Sequence, residues 1–540
     1  MKKVLPILIA VFIASCVDQG EKEQKALIDT LAVEGHIETL ASDEYLGRKP
    51  FTEGESKTIE YLRNEFQSYG LDPGNGESYF QEVPLVELTA MPDDQLIVEG
   101  GRGETTLNLG DDFVAFTEKV EEEVIMEDSE LVFAGYGVVA PEYDWNDYEG
   151  LDVKGKTVIV LVNDPGFGSG DSTFFKGETM TYYGRWTYKY EEAARQGAAG
   201  VIIVHETVPA GYPWLVVRNS WSGASLYLDT TDPDSYKCKV QGWITRDAAI
   251  QLFEQSEVDM RNFVKRAREE DFQAIPLGLR TSLIIRNKIK RDQSQNVIAK
   301  ITGTERPDEA VIYTAHWDHL GVGPEVEGDS IYNGAHDNAS GTAILLAIAE
   351  AMSKKEKPER SVVFLAVTAE EQGLLGSKHY AENPLFEPDK TVANINMDGV
   401  AYYGEMRDFT VVGYGQSELD DLAGEIAESQ GRYVKPDPDP GKGYFFRSDH
   451  FNFAKIGVPA MFASGSYEAI DGGVERIARL SDDYLSNKYH RPADEINDSW
   501  LFGGVLQDAE LFYRLGWELA NSDQWPKWKA GSEFKSIREK

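Results

Sequence analysis

The sequence predicts an α/β protein in which a mixed, mostly parallel sheet is sandwiched by helices and interrupted by an inserted β-rich α+β segment. Three observations predict it. From about residue 276 onward, short apolar runs alternate with helical stretches, the pattern of buried strands covered by helices. Residues 130 to 275 break that rhythm with apolar strands, an aromatic and acidic loop, and a Gly-rich turn from helix to strand. Residues 35 to 125 read as helix followed by alternating strands.

Residues 35 to 72 carry two helical patterns around a polar, Gly-containing loop. In the second, Ile59, Leu62, Phe66 and Tyr69 recur at three- and four-residue spacing, and Gly70 stands where a helix stops, so a capped amphipathic helix facing the core is expected. FQEVPLVEL and DQLIVEG then alternate as strands do. ELVFAGYGVVAPEYDWNDYEGLDVKGKTVIVLVNDPG gives two apolar strands, and KYEEAARQGAAGVIIVHE gives a helix, a turn and a buried strand. Between them, GDSTFFKGETMTYYGRWTY reads as a long exposed loop able to overhang a site. Beyond residue 276, QNVIAKI, AVIYTAH, SVVFLAV, VANINMD, FTVVGYG and VPAMFAS read as buried strands. Stretches 340 to 353, 372 to 382, 417 to 430 and 506 to 520 read as helices between them.

At 540 residues the chain exceeds one ordinary core, so a composite of roughly two to four units is expected. Its 53 Lys and Arg against 92 Asp and Glu give a formal charge of -39, which argues against nucleic acid as a partner because a phosphate backbone needs a basic surface. Lys2 and Lys3 precede an apolar run, Val4 to Ala14, too short to span a bilayer and suited to the core of a signal peptide. Ile13-Ala14-Ser15-Cys16 resembles a bacterial lipobox, which implies cleavage before Cys16, a lipid anchor on that residue, and a polar tether over residues 17 to 30. The expected location is therefore outside the cytoplasm, as a periplasmic, outer-membrane or cell-surface lipoprotein. Cys238 would then be the one remaining cysteine and a buried, inert thiol.

The chemistry concentrates in residues 311 to 398. VIYTAHWDHLG, YNGAHDNASGTA, SVVFLAVTAEEQGLLGS and VANINMDG bring His316, Asp318, Asp337, Glu370, Glu371 and Asp398 to the carboxyl ends of predicted strands or the start of a predicted helix, and His490 follows in NKYHRPADE. In an open α/β sheet ligands bind at that edge. Asp337 precedes a helix beginning near Ser340, and Asn338, Ser340 and Gly341 suit a tight entry. Imidazole nitrogen and carboxylate oxygen are zinc ligands. A dinuclear site with one bridging carboxylate, plus one imidazole and one carboxylate per metal, needs five ligands, and the chain contains that set.

HWD, DNASG, EEQG, NMDG and YHRPAD resemble the motifs of the co-catalytic zinc aminopeptidases, a family that also holds glutamate carboxypeptidase and glutaminyl cyclase. AGYG, KGKTVIV and AARQGAAGVIIV resemble the protease-associated domain. The resemblance implies a peptidase domain in two parts, residues 31 to 125 and 276 to 540, around a protease-associated domain at 126 to 275. It further implies two zinc ions, with His316 and Asp398 on one, Glu371 and His490 on the other, and Asp337 bridging. Glu370 would be the general base, and Asp318 would accept a hydrogen bond from the His316 ring and fix its tautomer. His319 and His336 would be outer-shell residues. RSDHFNFAKIGVPA resembles a family segment near the substrate, so Ser448, Asp449 and His450 become candidate pocket residues, and Tyr444 a candidate oxyanion donor.

The expected activity is hydrolysis of the amino-terminal bond of peptide substrates. A carboxypeptidase or dipeptidase of the same family is the alternative; it needs a basic pocket, for which Arg447 is the nearest candidate. Glutaminyl cyclase chemistry would use one zinc, and a non-catalytic binding ectodomain would have lost the ligands. The full ligand set and Glu370 speak against both.

Overall fold

A computed structural model describes residues 27–221, 223–229 and 236–539, so the signal-like segment and Cys16 lie outside the described residues. The main body begins with helices α1 (Thr30–Leu40) and α2 (Glu53–Ser68) and strand β1 (Phe80–Pro92). After the insertion it resumes with β2 (Ile275–Ile301), β3 (Arg306–His316), α3 (Ser340–Ser353), β4 (Arg360–Val367), α4 (Leu375–Glu382) and β5 (Thr391–Asn396). It closes with β6 (Asp408–Val412), α5 (Leu419–Ser429), β7 (Tyr433–Pro436), α6 (His450–Lys455), β8 (Ala460–Ser464), α7 (Gly473–Asn487) and α8 (Gly503–Ala520).

Hydrogen bonding orders these strands β7–β6–β8–β5–β3–β4–β2–β1. The central four, β8, β5, β3 and β4, are parallel; β2 and β1 on one side and β6 on the other run antiparallel to their inner neighbours. The fold is therefore the mixed α/β sandwich expected from the sequence. Every residue of β4 is buried, as a strand covered by helices on both faces must be. One layer is α1, α2, α3 and α8, whose Val33, Ile37, Leu62, Phe66, Ile344, Leu345, Leu511 and Leu515 share a core with Val311, Tyr313 and Phe364. Helix α3 spans the predicted residues 340 to 353. Helix α7, absent from the sequence reading, buries only Ile477 and Tyr484, so its surroundings rather than a broad apolar face fix its place.

The inserted body reaches beyond the boundaries at 126 and 275. Leu96, Val98, Leu107, Phe113 and Ala115 pack in one core with Leu131, Phe133, Ile202, Leu252, Leu279 and Leu283. The reason is strand β2, which runs for 27 residues and belongs to both bodies. Its first half pairs with Glu123–Phe133 and Gln95–Gly100, and its second half pairs with β1 and β4. Leu277, Leu279, Leu283 and Ile285 are buried at two- or four-residue intervals, as the two-residue repeat of a strand requires. Residues 224–228 also pair with β1, so the two bodies share a continuous sheet. Among the described residues no helix is long and apolar enough to cross a membrane.

The aromatic segment read as an exposed loop is largely an interface. Residues 168–173 are exposed, but Phe175, Met180, Thr181 and Tyr183 are buried. Tyr182 packs edge-on to Phe451 at 5.2 Å and beside Phe446 and Phe534 of the main body. Lys176 pairs with Glu533 at 2.6 Å, Lys455 with Glu191 at 2.8 Å, and the Met180 N–H donates to the Pro440 carbonyl at 3.2 Å. Apolar rings gain more by leaving water than an exposed loop permits, and the main body supplies their partners. Within the inserted body the buried Lys189 ammonium donates to the Asn163 and Tyr183 carbonyls at 2.8 and 2.6 Å, which ties this arm at its base. Replacing Tyr182 by Ala should release the arm. Limited proteolysis is expected to cut within residues 168–184 several-fold faster than in wild type, with an unchanged far-ultraviolet circular dichroism spectrum.

Candidate metal centre

Strands β3, β4 and β5 end in step: His316 lies opposite Val367, and Thr314 opposite Asn396. The residues just past these ends therefore meet at one edge of the sheet. His316 is the last residue of β3, Glu370 and Glu371 follow β4, and Asp398 follows β5. Asp337 arrives from the turn before α3. Gly341 sits so close that a Cβ there would lie 2.3 Å from the Met397 carbonyl oxygen, so only glycine lets the start of the helix touch the end of β5.

The geometry divides into two groups around Asp337. One oxygen, Oδ1, is 3.3 Å from His316 Nε2, which is also 3.4 Å from Asp398 Oδ1. The other, Oδ2, is 3.3 Å from His490 Nε2, which is 3.1 Å from Glu371 Oε2. Glu370 Oε2 is 4.0 Å from His316 Nε2. All five residues expected as metal ligands, and Glu370, are thus brought together, although His490 comes from beyond α7.

A second layer of hydrogen bonds aims these groups. Ser448 donates to Asp398 Oδ2 at 2.5 Å and accepts from Asn396 at 2.7 Å. Asp494 accepts the backbone N–H groups of His336 and Asp337, each at 3.1 Å, and the Tyr484 hydroxyl at 3.3 Å. Asn338 donates to the Met397 carbonyl and accepts from the Gly341 and Gly399 N–H groups. The fully buried Arg48 donates to four backbone carbonyls, Leu40, Asn333, Gly334 and Trp317, at 2.6 to 2.9 Å, tying α1 to the loops that carry His316 and Asp337. Burial lowers its pKa to about 10 even though Asp494, Asp318 and Asp337 favour its charge.

Asp318 corrects one expectation. His316 Nδ1 lies 3.2 Å from the Asp318 backbone carbonyl and 3.7 Å from its carboxylate, so the carbonyl sets the tautomer. The carboxylate instead accepts the Glu370 N–H at 3.0 Å and so positions the glutamate. The pocket residues also differ from expectation. His450 is fully buried edge-on to Phe445 at 4.6 Å, its ring nitrogens have no partner, and burial pushes its pKa down to about 3, so it is an apolar packing group rather than a pocket wall. Tyr444 stacks under the Arg447 guanidinium at 5.2 Å. Tyr489 borders the centre: its ring stacks on His490 at 3.9 Å although the residue is 43% exposed, and desolvation together with Asp337, Glu371 and Glu370 raises its hydroxyl pKa. An aromatic residue directly before the late histidine was its only signal in the sequence. His336 packs between Tyr402 and Tyr484 and contributes its backbone.

The electrostatics ask for cations. Burial pushes Asp318 up to about 8 and Glu370 well above the usual carboxylate range, with Asp398 and Glu371 adding to the rise at Glu370. Burial opposes charge on His490, yet Asp337 and Glu371 raise it to about 10; Glu370, Asp337 and Asp398 likewise raise His316. A divalent ion between nitrogen and oxygen would supply the positive charge that these carboxylates favour. His490 Nε2 is buried and, although flanked by two carboxylates, makes no hydrogen bond of acceptable geometry. That orphaned nitrogen, and the two faces of Asp337, fit two divalent ions. His316, Asp337 and Asp398 form one group with ligand atoms within 4.8 Å of one another, and His319, Asp337 and Glu371 another.

Residues 296–501 match the model of peptidase family M28, and residues 127–230 that of the PA domain. The region that carries this centre, residues 296–501, is thus a peptidase family M28 domain, and residues 127–230 ahead of it are a PA domain. The chain is 35% identical over 131 residues to the aminopeptidase NAALADL1 of Mus musculus, covering 23% of this chain and 16% of that protein. It is 29% identical over 174 residues to a probable zinc metalloprotease of Pyrenophora tritici-repentis, covering 32% and 36%. Against the aminopeptidase YwaD of Bacillus subtilis it is 33% identical over 137 residues, covering 25% and 27%. The matched region thus spans between about a sixth and a third of these relatives. Among solved structures, the aminopeptidase from Aneurinibacillus sp. strain AM-1 aligns over 92% of this chain and 95% of its own, with 21% identity and a TM-score of 0.48.

Cations that bind this site only in the folded protein must stabilise it. Chelation is therefore expected to lower the melting temperature, and added zinc to restore it, in a scanning-calorimetry titration. Ser448→Ala, which frees Asp398, should weaken cation binding about 10-fold by isothermal titration.

Proposed function

We propose that the protein is a zinc exopeptidase that removes the amino-terminal residue of peptides. The observation that carries this reading is the division of the Asp337 carboxylate between two histidine–carboxylate pairs with Glu370 beside them. His316 and Asp398 would hold one zinc, Glu371 and His490 the other, with Asp337 shared. Bound there, the two ions would supply Lewis acidity, lowering the pKa of water and polarising the scissile carbonyl. Glu370, its backbone fixed by Asp318, takes the proton of the attacking water and returns it to the leaving amine. The Tyr489 ring, stacked on His490, stands beside this group of residues. Folding the PA arm onto residues 440–455 narrows access from one side. The reading also places the enzyme outside the cytoplasm on a lipid-bearing Cys16, supported by the Lys2-Lys3 start, the apolar run and the lipobox-like Ile13-Ala14-Ser15-Cys16.

A second reading, a dipeptidase or carboxypeptidase, has one observation in its favour. Arg447 is exposed beside Ser448, which touches Asp398, and its charge reaches Arg185 of the inserted body: burial, then the Arg447 charge, lower Arg185 to about 10. Two guanidinium groups of opposite bodies near the site suit a substrate carboxylate.

An aminoacyl-nitroanilide and an amino-blocked peptide with a free carboxylate separate the readings. Turnover of the first is expected; turnover of the second alone would overturn the aminopeptidase assignment. Glu370→Gln should cut kcat by roughly 10²–10⁴-fold while cation content, measured by plasma mass spectrometry, stays at the wild-type value.

A further inference from the structure

His319 is one of eight histidines in the chain and the one nearest Glu371. It is 1% exposed, and its Nδ1 lies 2.5 Å from Glu371 Oε1. The opposite oxygen, Oε2, faces His490 Nε2 at 3.1 Å. The two oxygens of Glu371 are therefore assigned to different histidines. His319 has little freedom to turn away. The turn at Gly334 lies against its ring so closely that a Cβ there would sit 2.5 Å from the ring carbon Cδ2, and its N–H meets the Arg48 carbonyl at 3.4 Å. Its second nitrogen, Nε2, is buried with no hydrogen-bond partner, so Glu371 is the one polar group its ring serves among the described residues.

From this arrangement we infer that His319 is a positioning residue for one of the two cations. Its Nδ1–H donates to Glu371 Oε1 and so turns Oε2 toward the ion on the His490 side. A carboxylate with both oxygens free can close on a metal through both. Holding one of them in a hydrogen bond leaves that ion three protein groups, Glu371, His490 and Asp337, and a position open to water or substrate. His319 thereby sets the affinity and openness of one site and leaves the His316–Asp398 site alone. This inference rests on the two-cation reading.

The test is cation binding rather than turnover. Apo-protein of wild type and His319→Ala is titrated with zinc by calorimetry and with cobalt by visible absorption, beside His490→Ala and His316→Ala. One of the two ions is expected to bind roughly 10–100-fold more weakly in His319→Ala while the other keeps its affinity. The cobalt spectrum of the singly loaded variant should match that of His490→Ala and not that of His316→Ala. His319→Phe, which keeps a buried ring without a donor, carries the same expectation if the alanine variant does not fold, with the melting temperature in chelator as the folding control. Two ions bound at wild-type affinity with an unchanged cobalt spectrum, or equal weakening of both, would overturn the role of His319. One ion in the wild-type protein would instead overturn the two-cation reading itself.

Discussion

The structure is governed by the cost of crowding carboxylates where water is largely excluded. Asp318, Asp337, Glu370, Glu371 and Asp398 meet at the end of three strands, with His316 and His490 between them. Two like charges 4 Å apart repel by about 4 kcal/mol even at an effective dielectric of 20. Such a cluster persists in a fold only if each group is held by neighbours and the net charge is met by cations or protons. Nearly every unusual local feature of the main body answers one of those needs.

Holding is done mainly through the backbone. Asp494, Asn338 and Arg48 bond chiefly to main-chain groups of the loops that carry His316 and Asp337, rather than to the ligands themselves. This leaves the ligand oxygens free while fixing their direction. Where a side chain does touch a ligand, it takes only one oxygen: Ser448 takes Oδ2 of Asp398, and His319 takes Oε1 of Glu371. Ligand oxygens held in this way would meet an ion with their direction already set.

The inserted body is joined to this centre by more than a linker. Strand β2 is a single extended segment with one half in each core, and the arm around Tyr182 returns to the main body through aromatic packing and two ion pairs. Motion of the insertion must therefore bend β2 or unseat the arm. The charge of Arg447 in the main body reaches Arg185 of the insertion, a residue distant in sequence.

The sequence by itself determined the architecture of the main body and which side chains stand at the ends of its central strands. Strands such as SVVFLAV are apolar throughout because both faces are covered, and reactive side chains at their ends stand out against that background. What the sequence did not carry was the partnership of residues far apart in the chain. Asp318 reads as a carboxylate poised for His316, but the bend after β3 points it at the Glu370 N–H. Arg48, Asp494 and Tyr489 become site residues only once α1, the 490s loop and three strand ends converge, and His450 leaves the pocket because Phe445 and Phe462 enclose it. The same holds for the aromatic arm, whose rings look exposed until a second body covers them. Local periodicity and residue chemistry are written along the chain, whereas burial, tautomer and the division of a carboxylate's two oxygens are set by neighbours that only folding supplies.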